Sequence, residues 1–430
     1  MRATGSTAAI EAVYRVEFPR VVAVLAAFTG DIALAEELAQ DALVDAMRQW
    51  PRDGTPRNPG AWLTAVAKRK AIDAFRRQRT LAAKYAQIGR ELEGCCALDD
   101  FDGGPPGEAS SEEIDDDRMR LIFVACHPVL AVPARVALTL RLVGGLTVPE
   151  IARAYVVPEA TIAQRIVRAK KAIARARIPF EAPVGEDRLS RLGAVLEVIY
   201  LIFNEGYSAT TGEDWVRPDL CGEALRLGRV LAALMPGEPE VHGLVALMEL
   251  QSSRLRARTG PTGAPVLLLD QDRRMWDRLH IGRGKAALAR ADELAPTRGP
   301  YALQAAIAAC HARSFRPEDT DWEELVALYT TLARVVPSPI VELNRAVAVS
   351  RASGPADALA LVDILVATGT LERYHLLYSV RGDLLYRLGR HGEAASEFER
   401  AAALATNAQE RSLLSERARA SRSLSGAERR

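Results

Sequence analysis

An all-α fold follows from three features of the chain. Hydrophobic residues fill 49% of its 430 positions while aromatics fill only 6%. Ala, Leu, Arg and Glu dominate, and these are good helix formers. Runs of Val, Ile or Thr at strand spacing are few, whereas apolar residues return every three or four positions. The length exceeds that of one ordinary domain, so two or three units with cores of their own are expected. A formal net charge of only +1 makes any charged partner a matter of local clusters rather than of the whole surface.

Composition also narrows the function classes. The longest early apolar run, VVAVLAAF at 21–28, is far short of a membrane span. Glu11 sits where a signal peptide needs an apolar stretch, so a cytoplasmic protein with no membrane partner is expected. The five cysteines, Cys95, Cys96, Cys126, Cys221 and Cys310, form no C-x-x-C knuckle, and their odd number argues against a disulfide framework. Cys126-His127 and Cys310-His311 read as core or helix-end pairs, so no metal or other cofactor is expected. No phosphate-binding loop, zinc-protease pair or nucleophile motif points to catalysis.

The first clear element is DIALAEELAQDALVDAMRQW, residues 31–50, an amphipathic helix with Leu38, Ala42 and Ala46 inward. Glu36, Glu37, Gln40 and Asp41 fall on the outward face. Such an acidic strip repels phosphate but suits a basic or polar protein partner, or keeps the helix soluble. The next is NPGAWLTAVAKRKAIDAFRRQR, residues 58–79, opened by Pro59. Trp62, Arg69, Lys70, Arg76 and Arg77 share one broad face, opposed there only by Asp73. Cations around an exposed ring resemble the way single-strand binders seat an unstacked base, although a Trp at a helix start also serves as core. Residues 91–117 follow with 11 Asp or Glu and no Lys or Arg. Their Gly, Pro and Ser content marks an acidic linker.

LTVPEIARAYVVPEATIAQRIVRAKKAI, Leu146 to Ile173, reads as two helices and a turn. Thr147 and Glu150 form a T-x-x-E capping box with Pro149 in the first turn. The helix runs to about Tyr155, and Pro158 opens a second one after a connection through Val156 and Val157. Ile162, Ile166, Ala169 and Ile173 make one apolar stripe, while Gln164, Arg168, Lys171 and Arg175 recur about 200° around the axis. Thr161 to Arg177 carries six Lys or Arg and no acidic residue. The plainer alternative is a solvated basic face, but a capped, tightly turned helix pair with one-sided charge favours DNA.

From about Val184 the texture becomes Ala/Leu-rich helices separated by prolines and glycines. YSVRGDLLYRLGRHGEAASEFERAAALAT, residues 378–406, places Tyr378, Gly382, Gly389, Ala394, Phe398 and Ala401 on the tetratricopeptide template. Ala346, Ala358 and Val362, then Leu325, Tyr329, Leu332 and Pro337, follow weaker copies, and Pro236 and Pro296 close helical hairpins. Stacked hairpins offer a concave surface. Asn344 and Arg345 lie on an inner-helix stretch suited to a peptide terminus or carboxylate, with capping or ion pairing as the simpler duty.

AEELAQDALVDAMRQW, AWLTAVAKRKAIDAFRRQR and VPEATIAQRIVRAKKAI, in that order, resemble the extracytoplasmic-function sigma factors of the sigma-70 superfamily. RLIFVACHPVLAVPARVALTLRLVGGLT and YLIFNEGYSAT are similar to a subgroup with a tetratricopeptide-like C-terminal extension. The resemblance implies sigma region 2 over 10–80, an acidic flexible linker over 81–117, a region 4 helix-turn-helix over 118–178 and a helical regulatory domain over 184–420. It implies core RNA polymerase, through its β′ clamp helices and β flap, and promoter DNA as partners. A protein or peptide partner for the extension is a further expectation. Residue by residue it assigns Glu37, Gln40 and Asp41 to polymerase. The loop from Arg52 to Pro59 and the following helix go to the minus-ten element, with Arg57, Asn58, Trp62, Arg69, Lys70, Arg76 and Arg77 as contacts. Glu159, Thr161, Gln164, Arg165, Arg168, Lys170 and Lys171 go to the minus-35 element. Arg165 or Arg168 suits a guanine edge, Gln164 adenine, and Lys170 and Lys171 phosphates. The turn departs from the commoner pattern in carrying Val156 where Gly is frequent. The competing reading, a stand-alone helix-turn-helix regulator with a helical-repeat sensor, leaves the upstream basic helix and the acidic strip without a role.

Overall fold

The computed structural model describes residues 17–90, 111–155, 157–183, 185–208, 216–260 and 265–428. Every element among them is helical, and their one β interaction is an isolated bridge between Thr259 and Pro265. The chain divides into two compact units, residues 1–153 with 157–198 and residues 154–156 with 199–430.

Unit 1 begins with α1 (residues 17–29), α2 (Ile32–Asp53) and α3 (Pro59–Arg90). Gly30, at φ 68°, turns the chain between α1 and α2. Asp31 then caps α2, its carboxylate accepting from Ala33 N at 2.7 Å and Leu34 N at 3.2 Å. Asn58 caps α3 in the same way, accepting from Ala61 N at 3.0 Å, with Pro59 at the first helical position. Phe18, Val22, Leu25, Leu38, Ala42 and Leu63 form the shared core, none more than 5% exposed. The small residues Ala35, Ala39, Ala42 and Ala46 let α2 approach its neighbours closely.

The rest of unit 1 comprises α4 (Ser111–Ala125), α5 (Val132–Leu142), α6 (Val148–Tyr155), α7 (Glu159–Arg175) and the first part of α8 (Glu186–Tyr207). The capping box forms as the sequence requires: Thr147 N donates to Glu150 Oε2 at 2.8 Å, and Glu150 N donates to Thr147 Oγ1 at 3.4 Å. Ile162, Ile166, Ala169 and Ile173 are buried, and α7 packs on α5. Each buried isoleucine contributes about 1.5–3 kcal/mol of apolar transfer, which is what sets the rotation of α7 about its axis. Cys126 is a core residue, its Sγ 3.3 Å from Thr139 Oγ1. The start of α8 belongs to this packing: Arg191 donates to the Phe123 carbonyl at 3.1 Å, and Arg135 pairs with Glu197 at 3.3 Å.

The segment read as a linker contributes helix at both ends, since α3 continues to Arg90 and α4 opens at Ser111. Its middle, with Cys95 and Cys96, lies outside the described residues, as does Val156 in the helix-turn-helix connection.

Unit 2 is a succession of α9 (Pro218–Leu234), α10 (Pro239–Ser252), α11 (Arg278–Leu294), α12 (Pro300–Arg313), α13 (Trp322–Val335), α14 (Pro339–Ala352), α15 (Pro355–Thr368), α16 (His375–Arg387), α17 (His391–Leu404) and α18 (Ala408–Glu428). Consecutive helices pack on one another along the whole series, the pattern of a helical-repeat array. Pro218, Pro239, Pro300, Pro339 and Pro355 each open a helix, where a missing N–H costs nothing. The α16–α17 hairpin explains the repeat-like residues. A Cβ on Gly382 would stand 2.9 Å from the Phe398 ring, so the glycine is what lets the two helices meet. Tyr378, Ala394, Phe398 and Ala401 are buried around that contact. Gly389, at φ 76°, makes the turn. Ala154 and Tyr155 at the end of α6 group with unit 2, where Arg217 donates to the Ala154 carbonyl and pairs with Glu205 at 2.6 Å.

Candidate nucleic-acid interface

Burial of the isoleucine stripe leaves one side of α7 in solvent. Gln164, Arg168, Lys171 and Arg175 are all exposed, and none of the four meets a carboxylate among the described residues. Glu159 is also exposed, while Thr161 and Arg165 are half-buried. The helix ends in a Schellman turn, with Arg177 N donating to Ala174 O at 3.1 Å and Ile178 N to Ile173 O at 3.2 Å. Arg177 takes the left-handed position of that turn at φ 50°, where glycine is the usual occupant. The outcome is a helix presenting amide, ammonium and guanidinium groups to solvent at three- and four-residue spacing, groups able to donate to base edges and to phosphates.

Lys170 points elsewhere. Its Nζ lies 2.8 Å from Glu36 Oε2, and Arg141 Nε on α5 lies 2.7 Å from Glu36 Oε1. Glu36 is therefore buried, at 4% exposed, and is not part of the outward acidic strip that its neighbours form. Burial by itself raises a carboxyl, but here the hydrogen bond from Lys170 and the charge of Arg141 outweigh it and hold Glu36 below its ordinary value. Gln40 adds a third donor to the same carboxylate at 2.9 Å. Arg141 is fixed in turn by the Leu146 carbonyl at 3.0 Å and lies 5.3 Å from the Phe18 ring centroid. A clasp thus joins α2 to α5 and α7 inside unit 1. Sequence reading missed Glu36, though a signal was present. Ile32, Glu36, Ala39 and Leu43 run along a second apolar stripe, and an acid placed within such a stripe needs a buried partner.

Glu37 and Asp41 are exposed along α2, as is Gln40. On α3, Arg57, Asn58, Arg69, Arg76 and Arg77 are exposed, although the Asn58 side chain is already engaged as the helix cap. Arg77 Nε donates to the Asp73 carbonyl at 3.3 Å. Lys70 pairs with Asp45 of α2 at 2.8 Å. Trp62 is half-buried, its ring 5.4 Å from that of Trp50 and edge-on at 64°. Trp62, Arg69, Lys70, Asp45, Gln49 and Asp73 line one cavity of about 310 Å³ between α2 and α3. The structure therefore brings three of the residues read as minus-ten contacts to one recess and adds two carboxylates to it.

A helical module with a recessed tryptophan and a capped helix-turn-helix with a cationic outer face, held in one unit, define a promoter-recognition protein of the sigma type. Comparison with known families agrees: residues 13–80 match sigma-70 region 2 and residues 120–173 match sigma-70, region 4. The chain belongs to the extracytoplasmic-function type of sigma-70 factors, proteins whose partners are core RNA polymerase and promoter DNA. It is 49% identical over 394 residues, 91% of each chain, to the uncharacterized protein R00370 of Rhizobium meliloti (strain 1021). Residues 191–292 match a family of unknown function, DUF6596, placing that match on the first helices of the extension. No described helix is long and apolar enough to cross a membrane.

Proposed function

We propose that this chain binds core polymerase through α2, reads the minus-35 element with α7, and receives melted minus-ten DNA at α3, performing no covalent chemistry itself. The observation that carries the reading is the solvent face of α7, where Gln164, Arg168, Lys171 and Arg175 stand free of carboxylates among the described residues. Arg168 and Gln164 suit base edges, with Glu159, Thr161 and Arg165 beside them; Lys171 suits phosphate. The recess beside Trp62 fits a base turned out of the stack. Asp45 and Asp73 accept from an exocyclic amine there, and Arg69, Arg76 and Arg77 follow the backbone. Glu37, Gln40 and Asp41 meet a cationic polymerase surface. The protein acts in the cytoplasm, where polymerase is.

The clasp adds a step to this function. The minus-35 and minus-ten elements are by their names about 25 base pairs apart, or roughly 85 Å along a duplex at about 3.4 Å per pair. In the free protein, side chains of α2 and α7 are 2.8 Å apart. On this reading the Glu36 contacts part when both elements are engaged, and Lys170 is a clasp residue before it is available to phosphate. Regulation by the helical extension is part of the same reading, supported by α8, which lends its first part to unit 1 and its last part to unit 2.

Reconstituted transcription with purified core polymerase tests the proposal. Promoter-specific initiation is expected, and Glu37→Lys with Asp41→Lys is expected to weaken holoenzyme assembly by setting like charges against the partner. Tight promoter binding without polymerase, together with unaltered assembly by the reversed pair, would remove the sigma reading of α2.

A further inference from the structure

Unit 2 holds a cavity of about 320 Å³ walled by α8, α10, α12, α13 and α14. That volume lies at the lower end of the roughly 300–1,000 Å³ of small-molecule sites. Ile307, Leu332 and Ile340 give it apolar walls, while Gln251, Arg254, Tyr329 and Asn344 supply polar groups.

Two features mark it as more than a packing gap. The first is Arg254. Its guanidinium lies 5.6 Å from the Tyr207 ring centroid and 6.0 Å from that of Trp276, and no carboxylate pairs with it among the described residues. Some arginines of this unit end on acids, as Arg229 does on Glu249 at 2.6 Å and Arg381 on Asp363 at 2.8 Å, and buried Arg273 ends on the His311 and Ser314 carbonyls and the Thr320 hydroxyl, whereas the Arg254 guanidinium has neither kind of hydrogen-bond partner among the described residues. A half-buried guanidinium beside two rings, with no counter-charge among the described residues, favours an anion brought from outside. The second is His311, which lines the cavity at 8% exposed with its Nδ1 buried and without a hydrogen-bond partner. Burial, and then the charges of Arg254 and Arg273, push this imidazole down to about 3, so it is neutral and leaves Arg254 as the only cation among the described residues that line the cavity. The side chains of Gln251, Tyr329 and Asn344 likewise make no hydrogen bond with a described residue.

We infer that this cavity binds a small carboxylate with an apolar body, its charged head on Arg254 and its body against Ile307, Leu332 and Ile340. One cation balances one negative charge, and the planar guanidinium fork matches a carboxylate. A dianionic phosphate would need more positive charge than the walls provide. Gln251 and Asn344 offer amide donors for the second carboxylate oxygen or a neighbouring polar atom. The carboxylate comes either from a free organic acid or from the C-terminus of a peptide. The inference stands apart from the promoter reading, since it uses no residue of unit 1.

The full chain is titrated with 4-phenylbutyrate by calorimetry, with nitrogen NMR of the His311 ring reporting on the site. Saturable binding that shifts the His311 resonance is expected, while the uncharged 4-phenylbutyramide gives none. Arg254→Gln is expected to weaken the acid by about tenfold or more, and Arg254→Lys to recover part of the loss. A tetrapeptide ending in phenylalanine forms the second arm. Tighter binding than the free acid, abolished by C-terminal amidation, assigns the peptide source, and weaker binding assigns the free acid. Thermal unfolding confirms that each variant is folded, and Asn344→Leu replaces Arg254→Gln if the latter is not. Absence of binding by both anions at millimolar concentration, equal binding of the amide, or an Arg254→Gln protein indistinguishable from wild type would overturn the inference.

Discussion

Arg168 and Lys170 stand two positions apart on one helix and have opposite surroundings, so single substitutions separate their roles. Arg168 is exposed and has no partner among the described residues. Arg168→Ala is expected to cost about 1–3 kcal/mol in promoter binding and to relax preference at one minus-35 position, measured with holoenzyme on a promoter-variant panel. Glu36 gives the second residue-scale prediction. Its carboxyl is held below the ordinary value of 4.5, so the clasp's contribution is full above that value and is lost as pH falls through the lowered one. Glu36→Gln removes the charge at every pH. Distance measurements between labels on α2 and α7 are expected to show opening in acid for wild type and at neutral pH for the variant. A distance that stays constant with pH and with the substitution would mean that the clasp does not hold the two helices together.

Among the elements, α7 carries a local conflict between stability and function. Arg177 occupies the left-handed position of the Schellman turn, where a side chain costs about 1–2 kcal/mol relative to glycine. Arg177→Gly is expected to raise the unfolding temperature of the protein while lowering promoter affinity, because a cation leaves the end of the helix. If affinity does not change, Arg177 has no part in DNA binding and the strain has no functional return. The α16–α17 hairpin is tight in the opposite sense. Gly382→Ala would set a methyl 2.9 Å from the Phe398 ring, and an overpacking loss of about 1–3 kcal/mol is expected in thermal unfolding.

For the whole molecule, α8 dictates where the chain can be divided. Leu192, Val195, Leu196 and Val198 are buried and group with unit 1, so a cut at residue 184 would remove part of that unit, whereas a cut after Val198 keeps it. At matched concentrations, the shortened protein is expected to differ strongly from the full chain in transcription with core polymerase. Higher activity would mean that the extension restrains the sigma module, and lower activity that it supplies a needed contact. Equal polymerase binding and equal initiation across promoters would show that the extension does not act on the module directly.

Periodicity and caps were enough to determine the helices that carry the candidate interface. The Thr147–Glu150 box, the prolines at helix starts and the stripe from Ile162 to Ile173 are local rules, satisfied within a few residues, and they fixed both the start of α7 and the face it shows to solvent. Gly382 and Phe398 were legible for the same reason, since a repeat template records a contact between neighbouring helices. Only tertiary structure decided the partners of charged groups. Glu36 finds Lys170 at a separation of 134 residues and Arg141 at 105, and no window of sequence joins them. The same holds for Lys70 on Asp45 and for the cavity around Arg254, whose lining spans residues 200 to 344. Arg254 looks like any other arginine along the chain. Charge pairs over distances of a few ångströms, and whether a given cation is satisfied or left for a ligand depends on which distant helices the apolar stripes have already brought together.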